Sequence, residues 1–420
     1  MNINKKISHN LTIKIFFIII FLNYLYFSFR LTLRENAWIA GDWLINYEAG
    51  LLRRGFSGEL ILLLTKLTSI KPTYLLILIQ LLLFCIFLCL FYSILKKKRL
   101  NIFFLFLLFS PATISFTFHD PLTVGRKEII FFLAYLIYLI YFLKDFKNST
   151  KKNIVFYLSG LIFVLIHEIF LFFSTFFIFS KFYHLKICKI KVNITNLSKE
   201  ILIIFGSICG VLLLILYSSN DPNTKELVCN RLLEAGLSSE ICKGALTEII
   251  FSKYLNSYKS FGLTNYILAY SYLKTYSLAI LLFFFPLSCF MFFSKINKKE
   301  LKIFFSFAIF QLLFLVSIFI VVNDWGRYLN ILFVFILIFV SFFFLKTEKL
   351  ILQNNIYKII LTLFLIVYSI TWHMPHCCQK NLGSGLFNLK DRIIFRLNNP
   401  TNYDDKTRDF INNLIHRPVN

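Results

Sequence analysis

Residues Tyr74 to Leu95 read YLLILIQLLLFCIFLCLFYSIL, and the basic cluster Lys96-Lys97-Lys98-Arg99 follows directly. The stretch carries no charged side chain, and a helix of about 20 apolar residues spans the hydrocarbon core of a bilayer. In lipid the backbone has no water to bond, so a helix, which pairs its own N–H and C=O groups, is the expected structure. The stretch therefore predicts a transmembrane helix that ends at a basic cluster.

The whole chain has the composition of a membrane protein. Of its 420 residues 58% are hydrophobic and only 16% are charged, and the mean hydropathy is +0.72, whereas soluble domains carry about 25% charged residues. The net charge of +24 comes from short clusters between apolar runs. Such clusters mark cytoplasmic loops, and their dispersal argues against nucleic acid as a partner. Membrane lipid is the expected surrounding.

Apolar runs and basic clusters together predict an all-α polytopic bundle of about eleven transmembrane helices with a cytoplasmic N-terminus. The predicted spans are residues 11–29, 74–95, 101–118, 129–143, two within 154–180, 201–217, 276–293, 303–322, 331–345 and 359–372. The transmembrane domain is then 1–372, with outer-face loops at 31–72, 119–128, 218–265 and 323–329, and 373–420 forms a short outer tail. The loops are compact, and the three sequons at Asn148, Asn193 and Asn196 fall in predicted cytoplasmic loops. We therefore expect a multi-pass protein of a bacterial inner (plasma) membrane with a periplasmic C-terminus, and the ER membrane of a eukaryote is the alternative.

The stretch 154–180 allows two topologies, because it is long for one span and carries His167-Glu168 at its middle. One crossing places the Lys-rich segment 181–199 outside, against the positive-inside bias. Two short helices place that segment inside and the His-Glu pair at an outer turn. We predict two helices, since ionisable pairs inside a membrane are costly unless they line a watery cavity.

The first outer loop, residues 41–59, interleaves charged side chains with Trp, Tyr and Phe. Two adjacent arginines, Arg53 and Arg54, oppose the positive-inside bias, and a diphosphate would hold them there because guanidinium groups bind phosphate oxygens in a bidentate fork. The alternative is a contact to ordinary lipid phosphates or to neighbouring carboxylates. Asp42 and Glu48 are the acidic candidates of this loop for proton transfer.

The second outer segment, residues 119–128, offers a further anion contact through Arg126 and Lys127. Asp120 and Glu128 would orient or neutralise these cations. A helix start with a self-satisfied salt bridge is the structural alternative.

Two further outer segments carry candidate residues. Glu168 would set the imidazole tautomer of His167, or His167 would take a proton from an attacking sugar hydroxyl; a structural hydrogen bond between helices is the alternative. Arg327 is a candidate phosphate ligand, or it pairs with Asp324 at helical spacing. Trp325 is a candidate platform for a sugar ring, or a residue of the interfacial aromatic belt.

The sequence predicts no cofactor and no metal, because it has no P-loop, no nucleotide-binding glycine pattern and no metal-spaced ligand set. Cys229 and Cys242 share one polar loop, where a disulfide and two free thiols are both open. The start of the tail carries His373, His376, Cys377 and Cys378. We interpret the tail as a small outer cap, with metal binding as the lesser alternative.

At these residues the chain resembles the polytopic glycosyltransferases of the GT-C type, and among them the Wzy-like polymerases and ligases of bacterial surface polysaccharide, such as O-antigen polymerases. The Asp-Trp…Tyr…Gly…Arg-Arg-Gly pattern between Asp42 and Gly55 is the most similar element. The resemblance implies an inverting transfer of sugar from a polyprenyl-diphosphate-linked glycan at the periplasmic face, with polysaccharide-assembly proteins as candidate partners.

The resemblance also implies roles for the candidate residues. In metal-independent members arginines stabilise the departing diphosphate and a basic residue activates the acceptor; the matching residues are Arg53, Arg54, Arg126, Arg327 and His167. In other members an acid of the first outer loop is the base, which nominates Asp42 or Glu48. The competing hypotheses are a lipid-linked glycan flippase or transporter, which needs polar residues at mid-depth of several helices, and a non-catalytic assembly partner.

Overall fold

The computed structural model describes residues 3–98, 100–145, 149–219, 221, 223–248, 273–294, 296–319, 324–345, 355–376 and 382. In this part of the chain the regular structure is helical, and seven helices are long and apolar enough to cross a membrane. Two shorter apolar helices, Ile129–Phe142 and Ile359–Thr371, accompany them. The protein is therefore a membrane-embedded helical protein, while the count of about eleven spans stays a prediction.

The helices follow the apolar runs of the sequence. Their bounds are α1 Ile3–Leu33, α2 Ala40–Leu44, α3 Gly55–Thr68, α4 Pro72–Leu95, α5 Ile102–Leu108, α6 Phe116–His119, α7 Ile129–Ile137, α8 Thr150–Ile166, α9 Phe170–Ile187, α10 Ser198–Tyr217, α11 Thr224–Glu234, α12 Leu273–Phe293, α13 Lys298–Phe319, α14 Trp325–Phe343 and α15 Asn355–Thr371. A π-helical turn, Tyr138–Phe142, extends α7.

The predicted division of the stretch 154–180 into two helices is confirmed. α8 ends at Ile166, His167 is extended with φ −163° and ψ 118°, and α9 begins at Phe170. The break lies between the end of α8 and the start of α9. There His167 is fully buried and lies close to other ionisable groups.

The predicted span 101–118 is not one continuous helix, because the chain is broken there between α5 and α6. Pro111 follows the end of α5 and has no N–H to donate to a continuing helix. The Asn330 side chain on α14 donates to the carbonyl oxygens of Ala112 and Thr113, both at 2.9 Å. Non-helical backbone at membrane depth is tolerated where protein buries it, and residues 110–116 are buried.

Polar contacts gather at the two ends of the bundle. At one end Asp145, after α7, meets Lys152 of α8 at 2.6 Å and Lys199 of α10 at 3.3 Å. Lys181 of α9 donates to the carbonyl oxygen of Leu143 at 2.7 Å. These three lysines belong to predicted cytoplasmic clusters, whereas the candidate site lies where α1 and α8 end and where α7, α9 and α14 begin.

Residues 224–248 form a small cap, distinct from the C-terminal tail, that covers α2 at the end of the bundle that holds the site. Cys229 of α11 and Cys242 form a disulfide, which decides the alternative that the sequence left open. Trp43 and Leu44 of α2 pack against this cap in one apolar cluster. Of the predicted loop 218–265, residues 249–265 lie outside the described part, as do residues 377–420 of the tail except 382.

Candidate functional site

Hydrogen bonds within the turn before α2, and one from α2 to the segment 119–128, position the site. Asn36 Oδ1 accepts the backbone N–H groups of Trp38 and Ile39, both at 3.0 Å, in the turn that precedes α2. One residue after Asp42, the Trp43 indole N–H donates to the carbonyl oxygen of Gly125 at 2.6 Å. These bonds hold Asp42 beside the loop that carries Arg126, Lys127 and Glu128.

Arg54 joins the first outer loop to the break between α8 and α9. Its guanidinium donates from Nε and Nη2 to the Glu168 carboxylate at 3.0 and 2.7 Å, and from Nη1 to Asp42 Oδ1 at 3.0 Å. Arg54 has a φ of +63°, in the left-handed region that residues other than glycine seldom adopt. Such backbone strain persists where surrounding contacts fix the residue, and here two carboxylates do so.

Lys127 lies next to Arg54 with a fully buried side chain. Its Nζ donates to the carbonyl oxygen of Arg54 at 3.0 Å and lies 3.9 Å from Asp42 Oδ2. Asp42 Oδ2 has no hydrogen-bond partner among the described residues. Burial lowers the pKa of Lys127 to about 8, so at pH 7 the ammonium is mostly charged but less strongly basic than an exposed lysine.

His167 connects Arg327 to Glu168, and both of its ring nitrogens are engaged. Arg327 Nη2 lies 2.8 Å from His167 Nε2, and because a guanidinium only donates, Nε2 is the acceptor. The backbone N–H of Ile169 donates to His167 Nδ1 at 3.3 Å, and Glu168 Oε2 lies 3.6 Å from the same nitrogen. Burial and the charge of Arg54 lower the pKa of His167 well below its ordinary value. In this arrangement His167 orients Arg327 and does not offer a free nitrogen to a hydroxyl.

Arg327 completes a group that we call the buried charge cluster: Asp42, Arg54, Lys127, Glu128, His167, Glu168 and Arg327. Arg327 Nε donates to Glu128, and Nη1 donates to Asp324 Oδ2 at 3.1 Å. Burial alone would raise the pKa of Asp42. The charges of Lys127 and Arg54 lower this pKa by a larger amount, so it lies below that of an ordinary aspartate. Three cations balance three carboxylates in the cluster. Apart from Glu168, whose side chain is 29% exposed, they are largely buried and therefore depend on their partners.

A cavity of about 60 Å³ adjoins the cluster. Its lining combines two kinds of side chain. The polar ones are Tyr24, Arg126, Glu128, Arg327, Asn330, Thr113, Thr117 and Thr123, and the apolar ones include Phe84, Phe87, Phe132, Ile331 and Val334. Two buried polar atoms at this cavity, Tyr24 Oη and Glu128 Oε2, have no hydrogen-bond partner among the described residues. The cavity is therefore amphipathic, because charged and polar side chains line it together with aromatic and aliphatic ones.

Arg126 is the cation at this cavity that no described carboxylate neutralises in an ion pair. It is half-buried, and its guanidinium donates to the carbonyl oxygens of Leu122 at 3.2 Å and Trp38 at 2.9 Å. These two bonds fix the side chain and leave its charge uncompensated by direct contact. Because the buried charge cluster is balanced, Arg126 gives the cavity an excess positive charge, which suits an anion.

Three other predicted site residues lie at the edge of the cluster or outside it. Arg53 Nη2 is 3.9 Å from Glu168 Oε1. Glu48 is half-exposed and pairs instead with Arg231 of α11 at 3.3 Å. The Trp325 indole N–H donates to the carbonyl oxygen of Phe319 at 2.8 Å, and its ring packs against neighbouring aromatic rings.

One polar pair at the site, Asp120 and His376, was not predicted from the sequence, which gave each residue only a separate role. His376 Nδ1 lies 2.5 Å from Asp120 Oδ2, although 256 positions separate the two residues. The only signal in the sequence was the coincidence of a polar residue in each of two segments expected on the same face.

The described residues contain no group of three or more His, Cys, Asp or Glu side chains placed to hold a metal ion. No protein-family model matches the chain, and neither a curated protein sequence nor a solved structure matches it.

Proposed function

We propose that this protein is a membrane glycosyltransferase, of the polymerase or ligase kind, that uses a polyprenyl-diphosphate-linked sugar or oligosaccharide to build surface polysaccharide. The observation that carries the proposal is the amphipathic cavity beside the buried charge cluster. A lipid-linked sugar diphosphate has a doubly charged head joined to a long apolar chain. Arg126 and Arg327 suit the head, and the apolar lining between α4, α7 and α14 suits the first part of the chain.

The cavity volume indicates that substrate binding moves the lining apart. Ligand pockets commonly measure about 300–1,000 Å³, several times the observed volume of about 60 Å³. The broken segment between α5 and α6 contributes Thr113 and Ile114 to the lining, and its backbone is free of continuous helical bonding. We expect this segment to shift when the lipid-linked substrate enters.

The cations that line the cavity also suit the chemistry of transfer. When a sugar leaves a diphosphate carrier, negative charge develops on the departing phosphate oxygen. Fixed cations in a partly dry site stabilise such charge without reorganising at the moment of reaction. Arg126 is held by two backbone carbonyls and Arg327 by Glu128 and His167, so both are preorganised.

Two observations support a periplasmic site in a bacterial inner membrane. Of the basic clusters, the described residues Lys152, Lys181 and Lys199 lie at the opposite ends of α7, α8 and α9 from the site, as expected for cytoplasmic loops. The cap that covers α2 contains the Cys229–Cys242 disulfide, and disulfides persist in oxidising compartments such as the periplasm.

Arg126→Ala tests the proposal with little risk to the fold. Arg126 forms no ion pair with a described carboxylate, so its removal leaves no buried carboxylate without its partner. We therefore expect normal protein levels in the membrane. We expect formation of surface glycan to fall about 100-fold, the usual effect of removing one donor to a developing anion. Glycan from a deletion strain complemented with each variant would be resolved by length on gels.

Lys243→Ala is the matched control, because Lys243 is an exposed cation of the cap whose ion pair with Glu240 contributes little. The control should make glycan of normal length and amount. An Arg126→Ala strain whose glycan equals that of the wild type and the control would contradict the proposed function.

A further inference from the structure

The Asp120–His376 pair has the geometry of an oriented imidazole. His376 Nδ1 lies 2.5 Å from Asp120 Oδ2, and the backbone N–H of His376 donates to the same oxygen at 3.3 Å. Asp120 side-chain exposure is 12% and that of His376 is 17%. The carboxylate therefore fixes both the ring and the backbone of His376, at a place that is sheltered but reachable from solvent.

The segment that carries His376 is packed directly on the first turn of α14. The carbonyl oxygen of His376 accepts the backbone N–H of Arg327 at 3.3 Å, and that of Pro375 accepts the Tyr276 hydroxyl at 3.3 Å. Gly326 permits this approach, since a Cβ there would lie 1.8 Å from the Pro375 oxygen. His376 is thus anchored to the residue whose guanidinium lines the cavity.

The two histidines of the site differ in what their nitrogens can do. Both nitrogens of His167 are engaged, as described above. At His376 the Asp120 carboxylate receives the Nδ1–H, and no described residue bonds Nε2. Burial alone would raise the pKa of Asp120. The hydrogen bonds from His376 lower this pKa by a larger amount, so it lies below that of an ordinary aspartate. An ionised carboxylate on Nδ1 stabilises the imidazolium that forms when Nε2 accepts a proton.

We infer that His376 is the general base of the transfer and that Asp120 is its positioning residue, an inference that rests on the proposed function. His376 Nε2 takes the proton of the acceptor hydroxyl while that oxygen attacks the anomeric carbon of the donor sugar. The bond from that carbon to the phosphate oxygen breaks, and its electron pair leaves with the polyprenyl diphosphate at Arg126 and Arg327. His376 then returns the proton to solvent, and no other reactant is needed.

Two substitutions of His376 separate a base from a structural residue. His376→Asn keeps a donor near the position of Nδ1 and so keeps the bond to Asp120, whereas His376→Ala leaves space for a small base. Right-side-out membrane vesicles from a producing strain retain their own lipid-linked glycan, and its conversion to product would be measured over time. We expect both variants to accumulate normally and to slow conversion about 10²–10⁴-fold, the usual contribution of a general base.

Added imidazole supplies the readout that a structural role would not move. We expect imidazole to restore part of the activity of His376→Ala and none of that of His376→Asn, whose side chain fills the space. The double variant Asp120→Asn/His376→Ala should convert substrate no more slowly than His376→Ala, because Asp120 acts through the imidazole.

The outcomes distinguish this inference from the proposed function. If Arg126→Ala slows conversion while His376→Asn matches the wild type, the proposed function stands and the assignment of His376 is wrong. Normal accumulation of His376→Ala without rescue by imidazole would also overturn the assignment. If Arg126→Ala leaves conversion unchanged, the proposed function itself fails.

Discussion

Arg54→Ala is expected to destabilise the protein more than any other single charge removal at the site. The substitution strips the bidentate partner from Glu168 and the closest partner from Asp42, whose side chain is 2% exposed. Removing one member of a buried ion pair costs about 3–5 kcal/mol, because it leaves an uncompensated charge. We expect the detergent-purified variant to lose helical structure at a clearly lower temperature in circular dichroism than the wild type.

A second substitution shows whether the loss comes from the orphaned carboxylate. Arg54→Ala/Glu168→Gln removes that charge together with its partner, so we expect part of the lost stability to return. Arg54→Lys keeps the charge without the fork and should fall between wild type and alanine. Equal melting temperatures for Arg54→Ala and wild type, or no recovery in the double variant, would show that the contacts of Arg54 do not stabilise the fold.

Gly206→Leu is expected to disrupt the packing of α8 against α10, whose backbones are in contact. A Cβ at Gly206 of α10 would lie 2.1 Å from the Tyr157 carbonyl oxygen of α8, and a Cβ at Gly160 would lie 2.1 Å from that of Ile203. Small residues let membrane helices approach to backbone contact, and here the atom in the way is backbone, which cannot rotate aside. Overpacking costs about 1–3 kcal/mol or more, and α8 positions His167 at its end.

Gly210→Ala is the control for that substitution. A Cβ at Gly210 would lie 3.1 Å from Val164 Cγ1, a side-chain atom that a small adjustment can move. We expect Gly206→Leu to accumulate poorly in the membrane and Gly210→Ala to accumulate nearly as well as wild type. Equal accumulation of Gly206→Leu and wild type would show that α8 and α10 are not in backbone contact in the membrane.

The sequence allowed the long apolar helices to be predicted because apolar length and basic flanks are local properties, whereas α3 lies in the stretch 31–72 that was interpreted as a loop. The break at His167-Glu168 was predictable for the same reason, since an ionisable pair at the middle of a long apolar run is costly in lipid. The break after α5 was not predictable in this way. It depends on Pro111 locally. It also depends on Asn330, more than 200 positions away, whose side chain donates to the carbonyl oxygens of Ala112 and Thr113.

The candidate site was predictable as a set of segments but not as a set of pairs. Assigning basic clusters to one side placed the loops of Asp42, Lys127, His167 and Arg327 together, and the structure brings these residues into contact. The partner of each residue depends on three-dimensional packing. Glu48 therefore turned out to pair with the cap, and the loss of both free nitrogens of His167 to hydrogen bonding could not be read from the chain.

Reconstitution of the purified protein into liposomes tests the central claim most directly. The liposomes would contain lipid-linked glycan extracted from the deletion strain, and mass spectrometry would follow lipid-linked glycan, released polyprenyl diphosphate and new glycosidic product. The proposed function predicts that wild type consumes the lipid-linked glycan and releases polyprenyl diphosphate in step with product, and that Arg126→Ala does so about 100-fold more slowly. Movement of lipid-linked glycan between leaflets without its consumption, or no change of any species, would contradict it.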